Sequence, residues 1–236
     1  MPVAVITGAS KGLGRALAYE LAARGWLLVL NARSADVLRE SVAELAAATD
    51  AQGRITGVAG DVGEAHTRGA LVAAAQKLGG VELLVNNASA LGAEPLVPLA
   101  AQPLAGLRAA LETNVVAPLG LVQEALAGGS LRAVLNISSD AAVEAYGTWG
   151  GYGASKAALD QLSAVLAVEQ PGLRVWAVDP GDMRTDLYAA AVGSDEDLAD
   201  RALPESVAPA LLRLIERDVP SGRYTAAALL EKEAVS

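Results

Sequence analysis

The sequence predicts an α/β protein built on a doubly wound parallel sheet of about seven strands, with helices on both faces. Short apolar runs rich in β-branched residues alternate with amphipathic helical patterns along the 236 residues. The runs are continuously apolar, as expected for strands that are covered on both faces. No internal repeat or low-complexity linker interrupts this alternation, so we expect a single domain over residues 1–236.

The elements follow one another in a regular strand and helix order. Seven strands are predicted, at residues 2–7, 26–31, 54–59, 81–86, 131–138, 173–178 and 222–226. Six helices are predicted, at residues 12–24, 34–48, 64–78, 103–127, 152–169 and 204–217. Leu13, Leu17 and Leu21 recur at helical spacing and mark the buried face of the first helix. The least regular segment, 182–203, includes the acidic run 193–197, and we expect it to form a mobile flap beside the active site.

Composition excludes several classes of protein and of site. Hydrophobic residues make up 53% of the chain and aromatic residues only 3%, so the core must be aliphatic. The absence of cysteine excludes disulfides and thiolate metal sites, and a single histidine, His66, excludes a multi-histidine site, so no metal is predicted. A net charge of −9 disfavours nucleic acid as a partner. Without an apolar run of membrane-spanning length or a signal peptide, we expect no membrane association and a cytoplasmic location.

A glycine-rich turn joins the first strand to the first helix. Its glycines are Gly8, Gly12 and Gly14, and the residues between them include Ser10, Lys11 and Leu13. Glycines at such a turn let the backbone approach a phosphate, and the helix start offers free N–H groups and a favourable dipole. The spacing G-x-x-x-G-x-G differs from the G-x-G-x-x-G form. A glycine-rich turn that binds no ligand is the alternative.

Tyr152 and Lys156 are separated by one helical turn, so both side chains lie on the same face of the predicted helix 152–169. A free phenol has a pKa of about 10 and exchanges protons poorly at neutral pH. A nearby ammonium group would stabilise the phenolate and lower that pKa, which would make the phenol usable as a general acid or base. A surface contact between the two side chains is the alternative.

Several motifs occur together in one order. They are the segment 7–14, Asn86-Asn87-Ala88, Asn114, Ser139, Tyr152, Lys156 and Pro180-Gly181. In order and approximate spacing they resemble the short-chain dehydrogenase/reductase family, and the resemblance covers almost the whole chain. It implies a single-domain Rossmann fold and nicotinamide-dependent carbonyl reduction or alcohol oxidation.

The resemblance also implies the roles of four catalytic residues. Ser139, thirteen residues before Tyr152, is preferred to Ser138 as the hydroxyl that hydrogen-bonds the substrate carbonyl. Tyr152 would donate the proton, and Lys156 would hold the nicotinamide ribose and lower the pKa of the phenol. Asn114 would anchor a water that links Lys156 to solvent. For each residue a purely structural role, such as capping a turn, is the alternative.

The end of the second strand bears on the choice of cofactor. An NAD-binding turn of this kind carries an acidic residue that binds the ribose 2′-hydroxyl, and this chain has Arg33 and Ser34 there instead. Arg33 and Lys11 together would suit a 2′-phosphate, so NADP(H) is favoured and NAD(H) is less likely. Two ordinary solvent-facing charges are the alternative.

The remaining cofactor contacts are implied by the resemblance. They are Asp61, Val62, Asn87, Ala88, Ser89, Pro180, Gly181, Met183 and Thr185, in addition to Tyr152 and Lys156. Ser89 departs from the family, which usually has glycine there, and its Cβ would crowd the cofactor or restrict the backbone. Asp61 could instead cap the following helix, and the asparagines could simply stabilise a turn.

The substrate and the partners are less well defined. Six apolar or aromatic residues could line the substrate pocket or belong to the core: Leu91, Val143, Tyr146, Trp149, Met183 and Leu187. An apolar pocket would suit a small-molecule ketone or aldehyde, or the corresponding alcohol. The resemblance implies a homodimer or homotetramer.

Two functions are compatible with these observations. The first is NADP(H)-dependent oxidoreduction of a carbonyl or alcohol, with Tyr152 as general acid or base. The second is a non-catalytic NADP(H)-binding redox sensor, for which a degenerate site would be expected. Because Asn114, Ser139, Tyr152 and Lys156 are all present, the enzyme is favoured.

Overall fold

The parallel sheet that the apolar runs predict is present in the computed structural model, which describes residues 1–193, 196–217 and 219–231. Its seven strands are all parallel and lie in the order β3-β2-β1-β4-β5-β6-β7. They are β1 Val3–Ile6, β2 Leu27–Ala32, β3 Ile55–Ala59, β4 Leu83–Asn86, β5 Ala133–Ile137, β6 Arg174–Asp179 and β7 Gly222–Thr225. The predicted doubly wound fold is therefore confirmed.

Helices connect successive strands and cover both faces of the sheet. They are α1 Gly12–Ala23, α2 Ala35–Ala48, α3 Ala65–Gln76, α4 Leu104–Leu111, α5 Ala117–Ala127, α6 Gly150–Glu169, α7 Asp186–Val192, α8 Pro204–Glu216 and α9 Ala226–Glu231. The prediction of a single helix over 103–127 is wrong in one respect, because a π-helical turn at Glu112–Val116 separates α4 from α5. The short helices α7 and α9 were not predicted, because each is too short for a helical period to stand out.

Strand β1 shows why the sheet is covered on both sides. Alternate side chains of a strand point to opposite faces. Ala4 and Ile6 pack in the cluster formed with α1 and α8, whereas Val3 and Val5 pack in the cluster formed with α3 and α5. All four residues are buried, which explains the unbroken apolar run in the sequence.

A chain of buried hydrogen bonds fixes α6 to the sheet. The Asn86 Nδ2 atom donates to Asn136 Oδ1 at 2.8 Å, and Asn136 Nδ2 donates to Ser163 Oγ at 2.8 Å. Ser163 in turn donates to the carbonyl oxygen of Leu159 at 2.7 Å. Because buried polar groups are costly when unpaired, this network allows only a narrow range of positions for the helix that carries Tyr152.

The segment predicted as a flap contains regular structure. It includes α7 and a 3₁₀ turn at Glu196–Asp200, and Met183 forms an isolated parallel bridge with Ala202. Part of the acidic run 193–197 lies outside the described residues.

One large cleft, of about 1350 Å³, opens at the carboxyl ends of the strands. It lies where the strand order reverses, because β1 continues to β2 on one side and is paired with β4 on the other. This reversal is where open α/β sheets bind ligands.

Within the described residues, none of the helices combines the length and apolarity needed to cross a bilayer. The same part of the chain holds no group of three or more histidine and acidic side chains suited to a metal ion.

Candidate active site

The glycines of the loop between β1 and α1 are required by its geometry. Gly8 has φ of +64° and Gly12 has φ of +52°, which side-chain-bearing residues rarely adopt. A Cβ on Gly14 would lie 2.5 Å from both Asn87 Nδ2 and the Gly8 carbonyl oxygen. The loop can therefore hold this shape only with glycine at these positions.

The residues that follow β4 are hydrogen-bonded to the start of the glycine loop. Asn87 Nδ2 donates to the carbonyl oxygens of Thr7 and Gly8, at 2.9 and 3.0 Å. The Thr7 hydroxyl oxygen accepts hydrogen bonds from the backbone N–H groups of Asn87 and Ala88, both at 3.0 Å. Asn87 thus shapes the loop through bonds within the protein.

The start of α1 is suited to an anion. Lys11 occupies the cap position, and its side chain makes no capping hydrogen bond to the first turn. The first N–H groups of the helix have no side-chain cap, and the helix dipole favours negative charge at this end. The glycine loop, this helix start and the cleft that they border together fit the pyrophosphate of a dinucleotide.

Cations line the end of the cleft beyond α1. Lys11 pairs with Asp186 and Arg15 with Glu44, at 2.8 and 2.7 Å respectively. Arg33 is exposed and makes no ion pair within the described part of the chain. Arg33 is therefore the cation most available for a 2′-phosphate. Arg15 was missed in the sequence because it lies inside α1, directly after the last glycine of the loop.

Ser34 is engaged as the cap of α2, where its hydroxyl accepts a weak hydrogen bond from the Val37 N–H at 3.5 Å. Ser34 still lines the cleft beside Arg33. Its hydroxyl could serve a ligand only by sharing or releasing that capping bond.

Most of the predicted site residues border the cleft, but five do not: Gly14, Asp61, Val62, Asn114 and Val143. Asp61 and Val62 lie outside its lining, as does Val143, which is 62% exposed. The Asp61 carboxylate accepts a hydrogen bond from the Gly63 N–H at 2.8 Å, and the cap position of α3 is occupied by Glu64. The cofactor contacts implied for Asp61 and Val62 and the pocket-lining role considered for Val143 are therefore not brought to the cleft.

Tyr152 lies on the first turn of α6 with its ring buried, only 6% exposed, and packed edge-on against Trp149 at 5.7 Å between ring centroids. Burial raises its pKa to about 12, although the hydroxyls of Ser89 and Ser139 act in the opposite direction. The expectation of a lowered pKa is wrong for the free protein, because removal from water outweighs every stabilising neighbour.

Lys156 is also buried, with 2% of its surface exposed, and its Nζ atom lies 5.5 Å from the centroid of the Tyr152 ring. The ammonium donates a hydrogen bond to the Ile137 carbonyl oxygen at 2.8 Å. Burial lowers the pKa of Lys156 to about 8, and Asp160 opposes this only in part. Asp160 instead pairs with Arg223 at 2.9 Å.

Ser139 is held by the residues that follow it. Its hydroxyl donates to Asp140 Oδ1 at 3.0 Å and accepts from the Ala141 N–H at 3.2 Å. The other Asp140 oxygen accepts from the Tyr146 hydroxyl at 3.0 Å. The carboxylate of Asp140 therefore lies beside the Ser139 hydroxyl, a feature that the sequence analysis missed because an acidic residue at a strand end has many ordinary uses.

Asn114 is fully buried in the π-helical turn, where its side chain connects the segment after β4 to α6. Its Nδ2 atom donates to the Ala90 carbonyl oxygen and to Ser155 Oγ, and its Oδ1 atom accepts from the Ala90 N–H, all at 2.8 Å. Ser155 continues to the Tyr152 carbonyl oxygen at 2.6 Å. Both amide hydrogens are used by protein acceptors, so this side chain positions the start of α6. The water that Asn114 was expected to anchor stays a prediction.

Comparison with known proteins identifies the family. The model of the short chain dehydrogenase family matches residues 2–196. The chain belongs to the short-chain dehydrogenase/reductase family. It is accordingly an oxidoreductase that acts on CH–OH or C=O groups.

Similar curated proteins include two kinds of enzyme. Sepiapterin reductase of Rattus norvegicus is 36% identical over 215 residues, covering 84% of this chain and 81% of the relative. The sepiapterin reductase of Mus musculus is 35% identical, with coverage of 83% and 79%. Serine 3-dehydrogenase of Rhizobium radiobacter is 32% identical, with coverage of 83% and 78%.

Solved structures agree with the fold. An alcohol dehydrogenase from the archaeon Thermococcus sibiricus, complexed with 5-hydroxy-NADP, superposes with a TM-score of 0.84 at 26% identity and covers 95% of each chain. The KRED1-Pglu enzyme superposes with a TM-score of 0.82 at 31% identity, covering 95% of this chain and all of its own.

The loop after β6 of this short-chain dehydrogenase closes the cleft against the glycine loop. Gly181 has φ of +75°, and its N–H donates to Asp179 Oδ1 at 2.9 Å. Thr185 caps α7 by accepting from the Tyr188 N–H at 3.2 Å. A Cβ on Gly12 would meet the Thr185 methyl group at 3.4 Å, so the two loops lie side by side.

Proposed function

We propose that the protein is an NADPH-dependent carbonyl reductase in which Tyr152 acts as the general acid. The observation that carries this proposal is a buried phenol with an ammonium group one helical turn away and a serine hydroxyl beside it, inside the cleft that begins at the glycine loop. This set of groups supplies a proton donor, a positive charge and a hydrogen-bonding hydroxyl at one place.

The state of the phenol favours reduction. With a pKa of about 12, Tyr152 carries its proton at neutral pH and is ready to donate it. NADPH, when bound, would supply the hydride that reaches the carbonyl carbon. The carbonyl oxygen gains negative charge as the C–H bond forms, and Tyr152 gives its proton to that oxygen, which leaves an alcohol and a phenolate.

Lys156 stabilises the phenolate that proton donation leaves behind. Its Nζ atom is 5.5 Å from the ring centroid, so its positive charge would attract the negative charge of a phenolate on the same ring. The Ile137 carbonyl oxygen holds the ammonium at this distance. The same burial that makes the phenol hard to ionise strengthens this attraction.

The cofactor preference rests on charge. Arg33 follows β2 at the position where an acidic residue would favour NAD, and it has no carboxylate partner in the described part of the chain. A guanidinium suits a phosphate because it can donate two parallel hydrogen bonds. The complex of a similar alcohol dehydrogenase with 5-hydroxy-NADP supports the same choice.

The substrate end of the cleft is mainly apolar, with one acidic position. Its lining includes Leu91, Trp149 and Leu187, and the carboxylate of Asp140 lies next to Ser139. This lining suits a small ketone or aldehyde that also carries hydrogen-bond donors. The names of the relatives make sepiapterin and serine the first compounds to test.

A homodimer or homotetramer is the assembly we propose. Leu119 of α5 and Val165 and Val168 of α6 are exposed, Val168 by 82%, although all three are apolar. A second copy of the chain would remove them from water, and light scattering of the purified protein measures the assembly directly. The cytoplasmic location stays a prediction from the sequence.

The decisive experiment follows NADPH and NADH oxidation with a panel of ketones and aldehydes that includes sepiapterin. Tyr152→Phe removes only the phenolic hydroxyl, and we expect it to lower turnover about 10²- to 10⁴-fold, as loss of a general acid does. Tyr19→Phe, at an exposed tyrosine of α1, is the matched control and should retain activity. Tight NADPH binding with no turnover on a broad panel would instead support the redox sensor.

A further inference from the structure

The hydroxyl oxygen of Ser89 is buried and has no hydrogen-bond partner of standard geometry among the described residues. Ser89 lies three residues after the end of β4, borders the cleft, and occupies the position where the family usually has glycine. Its Oγ atom is shielded from water and makes no hydrogen bond of standard geometry to any described group. Because hydroxyls are rarely buried unpaired, an orphaned one at a functional site calls for a partner that is absent in the resting state.

Ser139, the expected donor at the substrate oxygen, already uses its only hydrogen. That hydrogen is directed to Asp140 Oδ1 at 3.0 Å, and a bond to a carboxylate is stronger than one to a neutral acceptor. The Ala141 N–H occupies one lone pair of the same hydroxyl. Ser139 can therefore accept a hydrogen bond more readily than it can donate one.

The two serines approach the phenol from neighbouring strands. Ser89 follows β4 and Ser139 comes two residues after β5, and these strands are paired in parallel, so both residues lie at the same edge of the sheet. Both hydroxyls act on Tyr152 in the direction that lowers its pKa, against the effect of burial. Of the two, only Ser89 has a hydrogen with no protein acceptor among the described residues.

We propose that Ser89 is a further catalytic residue, whose hydroxyl donates a hydrogen bond to the Tyr152 oxygen when that oxygen becomes a phenolate. The proposal rests on the proposed function, in which Tyr152 gives its proton to the substrate. In this scheme Lys156 supplies charge and Ser89 supplies the directional hydrogen bond. Ser139, held by Asp140, is left to orient the substrate.

The first test is kinetic. Ser89→Ala should lower kcat for carbonyl reduction about tenfold, because one hydrogen bond to a charged oxygen is worth about that factor. In alcohol oxidation the ascending limb of kcat/KM should move up by about one pH unit, since the phenolate loses a donor. Ser89→Thr keeps a hydroxyl and should restore both values toward the wild type.

A matched control separates this effect from general loosening of the core. Thr67 in α3 also has a buried hydroxyl without a described partner, but it lies away from the cleft. Thr67→Val should leave the kinetic constants and the pH profile unchanged. A contact to the cofactor instead would appear as a raised NADPH Kd with unchanged kcat, and that result would overturn the proposal.

A second readout does not require turnover. With ¹³Cζ-labelled tyrosine, the Tyr152 resonance can be assigned among the five tyrosines by Tyr152→Phe. When this resonance is followed as the pH is raised, Ser89→Ala should move its titration to higher pH while Thr67→Val leaves the titration in place. A moved titration without any enzymatic activity would uphold the contact and refute the proposed function. An unmoved titration, or a moved one with wild-type kcat and pH profile, would overturn the role of Ser89.

Discussion

Lys156 should make the stability of the protein depend on pH in an unusual range. Its side chain is buried and forms no ion pair with a carboxylate among the described residues, and burial lowers its pKa from 10.5 to about 8. Between these two values the unfolded chain binds a proton that the folded protein does not. The stability contribution of Lys156 therefore rises with pH across this window, from a full penalty below pH 8 to none above pH 10.5.

The size of the effect follows from the two pKa values. Each pH unit of separation between the folded and unfolded pKa is worth about 1.4 kcal/mol. The lowering from 10.5 to about 8 thus corresponds to about 3 kcal/mol in the free energy of unfolding. Lys156→Met has no titratable group there, so the difference between wild type and variant should change by this amount from pH 7 to pH 11.

Urea unfolding of both proteins at a series of pH values measures this difference. Lys77→Met, at an exposed lysine, is the control and should follow the wild type at every pH. The lost hydrogen bond to the Ile137 carbonyl oxygen shifts the Lys156→Met curve by a constant, so the slope is the diagnostic quantity. A difference that stays flat between pH 7.5 and 10.5 would refute the reasoning, because Lys156 would then keep its charge at no cost in the fold.

Three further substitutions test other parts of the site. Arg33→Ala should raise the KM for NADPH about 10- to 100-fold, the value of a charge-assisted bond to phosphate, and leave the KM for NADH unchanged in steady-state assays. Gly14→Ala would place a Cβ 2.5 Å from Asn87 Nδ2. We expect this clash to lower the free energy of unfolding by about 1–3 kcal/mol in denaturant unfolding experiments. We also expect it to weaken NADPH binding, which calorimetry measures. Asp140→Asn removes a negative charge that helps to raise the pKa of Tyr152, so the ascending limb of the oxidation profile should move to lower pH.

Each of these predictions has a result that contradicts it. Equal losses with NADPH and NADH in Arg33→Ala would mean that Arg33 does not contact a 2′-phosphate. Wild-type melting and NADPH affinity in Gly14→Ala would show that the loop can open at little cost. In Asp140→Asn, an ascending limb that stays in place or moves to higher pH would mean that the Asp140 carboxylate does not raise the pKa of Tyr152.

Patterns confined to single elements could be predicted from the sequence. The central strands β1, β4 and β5 are visible because they are buried on both faces and therefore read as mainly apolar runs. The glycine loop is visible because Gly8 and Gly12 adopt positive φ, which selects for glycine whatever the rest of the fold does. The pairing of Tyr152 with Lys156 follows from helical spacing alone.

Properties that depend on contacts among several elements could not be predicted from the sequence. The division of helix 103–127 by a π-helical turn allows Asn114 to reach Ala90 and Ser155 together, which no local period reveals. Asp61 and Val62 match the family pattern, yet they do not border the cleft.

By itself the sequence determined the order of strands and helices and the glycine loop, because local backbone and periodic constraints select those residues. It also showed serine, tyrosine and lysine at the spacing typical of the family. Only the tertiary structure determined how readily the tyrosine and the lysine gain or lose a proton. Burial beneath neighbouring elements raises the pKa of Tyr152 and lowers that of Lys156. Desolvation is set by everything that surrounds a group, so its magnitude is absent from any local pattern.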